Sequence, residues 1–128
     1  MKKIVDVEVK DSKIIFKIED KFLFNKKEYN ESIDINKITK IEKILESGSH
    51  NEFTCIVFYQ NVTEVEGVNL DTFDDEIRNS EAMKEIIKEK SVLYKIPAFQ
   101  YVGEISELFD KIIEYLDINT IEVFETVI

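Results

Sequence analysis

The hydrophobic residues of this 128-residue chain change their spacing near residue 70, and the change limits what each side can form. Before it, Val5, Val7 and Val9 alternate with Asp6, Glu8 and Lys10, and Ile14, Phe16 and Ile18 alternate around Lys17 and Glu19. A repeat of two puts every second side chain on one face of a strand. After it, Phe73, Ile77, Ser80, Met83 and Ile87 recur every three or four residues, and so do Val102, Ile105, Leu108/Phe109, Ile112 and Leu116. That is the spacing of a helix buried along one side. The predicted class is therefore α+β: an antiparallel, bent sheet from the N-terminal half, covered by two C-terminal helices, with a C-terminal strand over 120–128.

Local signals refine the pattern. Asp11-Ser12 predicts a turn between the first two strands, Glu19-Asp20-Lys21 a second turn into Phe22-Leu23-Phe24, and residues 25–28 a third. In 32–46, Ile33 and Ile35 keep a spacing of two while Ile38, Ile41 and Ile44 are spaced by three, which fits a bending strand or a helix. Residues 47–51 read as a loop. Residues 53–59 (FTCIVFY) are apolar on both faces, so this strand should be central and covered on each side. Residues 62–70 are expected to pair back onto it. Thr72 is placed as the N-cap of a first helix over 72–90, with Asp74, Asp75 and Glu76 suiting the positive end of its dipole. Residues 92–96 form a short strand or connector before Pro97. Only 3 Gly and 1 Pro are present, which favours long regular elements and excludes a glycine-rich phosphate cradle. No repeat or linker interrupts the chain, so 1–128 is read as one domain.

No residue set announces chemistry. His50 is the only histidine and lies in the loop without a nucleophile beside it in sequence, so it reads as a solvated loop residue. Cys55, the only cysteine, sits inside the central strand and reads as a core thiol. One Cys and one His cannot build a zinc site of that type within one chain. Asp71, Asp74, Asp75 and Glu76 cluster, but without EF-hand spacing or its glycine, and helix capping explains them more simply. Neither a metal nor a cofactor is expected, and the chain reads as non-enzymatic.

Charge is more informative. Residues 1–64 hold 11 Lys against 12 acids, and residues 65–128 hold 6 basic residues against 15 acids, together the chain's −10. On the first helix Glu81, Glu85 and Glu89 fall at i, i+4 and i+8; on the second, Glu107, Asp110, Glu114 and Asp117 fall at i, i+3, i+7 and i+10. Like charges at these spacings cost about a few tenths of a kcal/mol per pair. Such an anionic ridge repels nucleic acid and membranes and attracts a basic protein surface. The expected partner is therefore a basic protein, docked on these seven residues; nucleic acid and membrane are not expected. Asp6 and Glu8 interrupt any signal-peptide core and no apolar run is long enough to span a bilayer, which points to the cytoplasm.

Residues 13–19, the IDINKITKI run at 33–41, strands over 53–59 and 62–70, and a closing helix over 72–90 follow one another in an order that resembles bacterial pleckstrin-homology-like domains. The resemblance covers residues 3–90 and implies a bent antiparallel sheet, with a scaffold or ligand-binding role. The chain departs from that pattern in lacking Trp, in its additional C-terminal residues and in showing no phosphoinositide-type cluster of Lys and Arg. Two roles follow as expectations. One is a protein-binding module of the immunity-protein or inhibitor type, an analogy of size and charge. The other is a pleckstrin-like scaffold, dimeric through its C-terminal strand.

Overall fold

In a computed structural model of the chain, residues 1–45, 53–116 and 120–127 are described. The first three strands, β1 (Lys2–Lys10), β2 (Lys13–Phe22) and β3 (Asn25–Asp34), form an antiparallel meander. Asp11 and Ser12 join β1 to β2 with φ of 54° and 61°, the pair of positive values that a two-residue hairpin turn needs. Val7, Ile14, Phe16, Ile18 and Ile33 are buried on one face, as the alternation requires.

The next turn is not at 19–21. β2 continues through Asp20 and Lys21 and reverses at Leu23-Phe24, with Phe22 opposite Asn25. Lys26 holds this extension together by pairing with Glu19 at 3.1 Å and Glu28 at 3.0 Å. Residues 25–28, expected as a third turn, therefore start β3.

A single 3₁₀ turn over Ile35–Lys37, capped by the Asp34 side chain, leads into β4 (Lys40–Leu45). The segment 32–45 is thus strand, turn and strand, with Ile38 and Ile41 buried. β5 (Phe53–Tyr59) lies between β4 and a later strand, and Cys55, Ile56, Val57 and Phe58 are all buried, so both of its faces are covered. Residues 62–70 do not pair onto β5. Glu66-Gly67, with φ of 52° and 80°, closes them into a small hairpin of β6 (Glu64–Val65) and β7 (Val68–Asn69).

The expected helix over 72–90 is two helices, α1 (Asp75–Arg78) and α2 (Glu81–Lys90). Ser80 separates them: its hydroxyl donates to the Ile77 carbonyl at 2.7 Å and accepts from the Met83 amide at 3.2 Å, ending one helix and capping the other. Of the predicted apolar face only Met83 is buried, and Ile77 is exposed. Thr72 instead belongs to a 3₁₀ turn that Asn69 caps.

β8 (Val92–Pro97) pairs antiparallel with β5. α3 (Ile105–Tyr115) follows, and β9 (Glu122–Val127) pairs in parallel with β4, giving a second sheet of order β8-β5-β4-β9. One core joins the layers. Ile41, Ile56, Phe58 and Ile96 of this sheet meet the buried face of the meander and the side of α3 carrying Ile105, Leu108, Phe109 and Ile112. Across it Phe16 stacks on Tyr94 at 4.6 Å and meets Phe58 edge-on at 6.2 Å. The protein is α+β, with a C-terminal strand. Among the described residues no helix is long and apolar enough to cross a membrane.

Candidate protein-binding surface

α3 buries one side so completely that its other side must be polar. Ile105, Leu108, Phe109 and Ile112 face the core, which leaves Glu107, Asp110 and Glu114 exposed at the expected spacing. Lys111, their basic neighbour, reaches toward Asp6 on β1 at 3.8 Å instead of pairing along the ridge. Asp6 therefore sits beside the ridge. Sequence alone left it as an outward strand residue, because its approach to α3 depends on tertiary packing. Asp117 lies outside the described residues.

Glu81, Glu85 and Glu89 are likewise exposed on α2, with Lys84 3.8 Å from Glu81. The two ridges do not share a face of the second sheet. Ile41 and Lys43 of β4 point to α3, since the Lys43 ammonium lies 4.8 Å from the Phe109 ring centroid. Lys40 and Glu42 alternate to the opposite face. There, with Tyr59 and Gln60 of the β5 end, they line an open polar groove of about 720 Å³ that also includes Lys88 of α2. Gln60 fixes that end of α2, its amide and side chain donating to the carbonyls of Ser91 and Lys90 at 2.8 and 3.2 Å. Carboxylates on α2 and α3 thus address two directions.

The groove is built from β4, β5 and α2, so no local motif marks it. At its wall Tyr59 donates to Glu42 at 2.7 Å and Thr126 donates to the other carboxylate oxygen at 2.6 Å. Lys40 lies 4.2 Å from the Tyr59 ring centroid. Burial alone would raise the Glu42 carboxyl, but the Thr126 and Tyr59 hydrogen bonds outweigh it and hold it below the ordinary carboxylate range. Burial and the same carboxylate keep the Tyr59 phenol protonated far above its usual value. A second pair repeats this design between the sheets: Tyr94 donates to Glu31 at 2.9 Å, and Lys2 lies 2.6 Å from the same carboxylate. Burial would raise this carboxyl too, but the Lys2 and Tyr94 hydrogen bonds and the Lys2 charge outweigh it and hold it below the ordinary carboxylate range. Ionised acid beside neutral phenol is stable at neutral pH, and neither member is poised to transfer a proton.

These pairs set a pH dependence. A carboxylate whose folded pKa is depressed contributes its full stability above the unfolded value, about 4.3 for Glu, and loses it as pH falls through the folded pKa. Urea unfolding should therefore show stability falling between about pH 5 and pH 3. Tyr59→Phe and Tyr94→Phe together should flatten that slope by removing the donors.

Among the described residues no group of three or more His, Cys, Asp or Glu is arranged to hold a metal ion. Cys55 is buried, and His50 lies outside the described residues. Comparisons with protein-family models, curated proteins and solved structures find no match to this chain.

Proposed function

We propose that this chain is a non-enzymatic protein-binding module that docks the outer side of α3 on a basic partner, in the manner of an immunity protein or inhibitor. One observation carries the reading. Glu107, Asp110 and Glu114 are exposed together on a helix whose opposite side is locked in the core, while Lys111 is directed away to Asp6. Rigid carriage of three like charges suits electrostatic steering, which raises association rates and fades as salt screens the field.

The test uses the protein encoded beside this chain, or one captured with it, as the titrant. Association should slow by about ten-fold or more between low and high salt. The combined change Glu107→Lys, Asp110→Lys and Glu114→Lys should abolish binding, while Glu81→Lys, Glu85→Lys and Glu89→Lys on the other face should weaken it far less. Binding that ignores salt, or survives the α3 reversal, removes the reading.

Among the described residues β9 is an edge strand, paired on one side with β4, which favours a second reading, a pleckstrin-like scaffold that dimerises by strand addition. Val123, Phe124 and Val127 are exposed on this edge strand, whose inner edge pairs with β4. Deleting 120–128 would uncover β4 as well, so a charged block is the cleaner probe. Light scattering should give a dimer mass for the native chain and a monomer mass for Val123→Lys with Val127→Lys; a native monomer excludes this arrangement.

A further inference from the structure

The far end of the β2–β3 hairpin breaks the rule that loop tips are polar. Phe22 is 71% exposed, Leu23 is 84% exposed and Phe24 is fully exposed, with exposed Met1 on the neighbouring strand end. Leu23 also holds φ at 55°, a region that favours Gly, Asn or Asp over a bulky side chain. The opposite turn, Asp11-Ser12, uses residues suited to its geometry, so the fold does not require an ill-fitted one. Strain and exposure coincide on three consecutive large apolar residues.

Charge around the tip departs from the rest of the chain. The paired strand ends carry Lys3, Lys21, Lys26 and Lys27 against Glu19, Asp20 and Glu28, while Lys2 is matched by Glu31 at 2.6 Å. Glu19 and Glu28 both meet Lys26, and Asp20 meets the Met1 amino group at 3.3 Å. Lys21 and Lys27 are exposed and form no ion pair among the described residues. The acids here are engaged, and the collar behind the apolar tip is positive.

The geometry points to this tip as a membrane contact that inserts Phe22, Leu23 and Phe24 into the interfacial region of a bilayer containing anionic lipid. Composition separates this from docking in a protein pocket. Protein interfaces are enriched in Phe as well as Tyr, Trp and Arg, but they are depleted in Lys, so the lysine collar is the discriminating feature. Phe and Leu backed by Lys are the make-up of interfacial anchors, in which lysine stems lie along the apolar layer and their ammonium groups reach the headgroups. The acidic ridge of α3, which disfavours membranes, is set back from the tip where β1 meets it. Asp6, which meets α3 through Lys111, pairs with Lys17, five residues or about 17 Å along β2 from Phe22. That is about two Debye lengths at physiological salt.

The chain has no tryptophan, so Phe24→Trp in the full-length protein gives a single reporter at the tip. With vesicles of phosphatidylcholine and phosphatidylglycerol at physiological salt, its emission should move to the blue and be quenched by brominated acyl chains. Vesicles of phosphatidylcholine alone should bind less, and Lys21→Glu with Lys27→Glu should weaken binding by about ten-fold or more. Leu23→Asn should also lose vesicle binding while raising the melting temperature, because Asn tolerates the positive φ. That pairing separates lost anchoring from lost folding. Emission that stays solvent-like with vesicles present overturns the proposal, as does undiminished binding by Leu23→Asn. A blue shift seen only with a protein partner and never with vesicles also overturns it, making the tip a protein anchor.

Discussion

Replacing Phe16 with alanine should destabilise the protein by about 3–5 kcal/mol, the range for truncating a buried aromatic whose cavity cannot collapse. Phe16 is wholly buried at the junction of the two sheets, stacked on Tyr94 at an interplanar angle of 9° and edge-on to Phe58. Two sheets meet there, and closing the gap would require moving a strand. Typical domains hold about 5–15 kcal/mol in total, so this single change would remove a large share. At roughly 3–5 °C per kcal/mol for a chain of this size, thermal unfolding should shift down by about 10–20 °C. Phe16→Leu should cost much less, because it retains volume and loses chiefly the ring contacts. If alanine and leucine behave alike, the junction is looser than this packing implies.

The residues around that junction also show which parts of the fold could be read from sequence. Ile14, Phe16 and Ile18 are legible because alternation is a local property and only one face of the meander is buried. The double burial of β5 is legible for the same reason, as four consecutive apolar residues, Cys55 to Phe58, leave no polar face. The Leu23-Phe24 turn is not legible, because neither residue carries turn chemistry and the reversal rests on the β2–β3 ladder instead. Ser80 was visible as a polar residue on the helix face but not as the hydroxyl that closes α1 and caps α2, a role fixed by its backbone geometry.

Exposure of Glu107, Asp110 and Glu114 follows from helical spacing and is legible for that reason. The sheet face that each helix takes depends on chain crossovers, and it separates the α2 carboxylates from those of α3. The parallel pairing of β9 with β4 is equally hidden. It joins segments about 80 residues apart in sequence, and it positions Thr126 on Glu42 and Glu125 beside Lys43.

Lys43 gives the second large effect. Its side chain occupies a position on β4 that alternation assigns to the core, between the rows of Ile41 and Leu45, and the residue is only 6% exposed. The ammonium reaches Glu125 at 3.0 Å and lies over the Phe109 ring, so its charge is met by a carboxylate and by the negative face of an aromatic. Lys43→Glu would put a carboxylate in that place, against the ring face and beside another acid. Burying an uncompensated charge costs about 3–5 kcal/mol, and chemical denaturation should show a loss of that size. Lys43→Met should stay within about 1 kcal/mol of the native protein, since a hydrophobe of similar length replaces the buried ion without a desolvation penalty. Adding Glu125→Lys to Lys43→Glu should recover part of the loss by restoring an opposite charge, though not the cation on the ring. Equal stability of Lys43→Glu and Lys43→Met would mean that the side chain escapes to solvent and that its place in the core does not depend on charge.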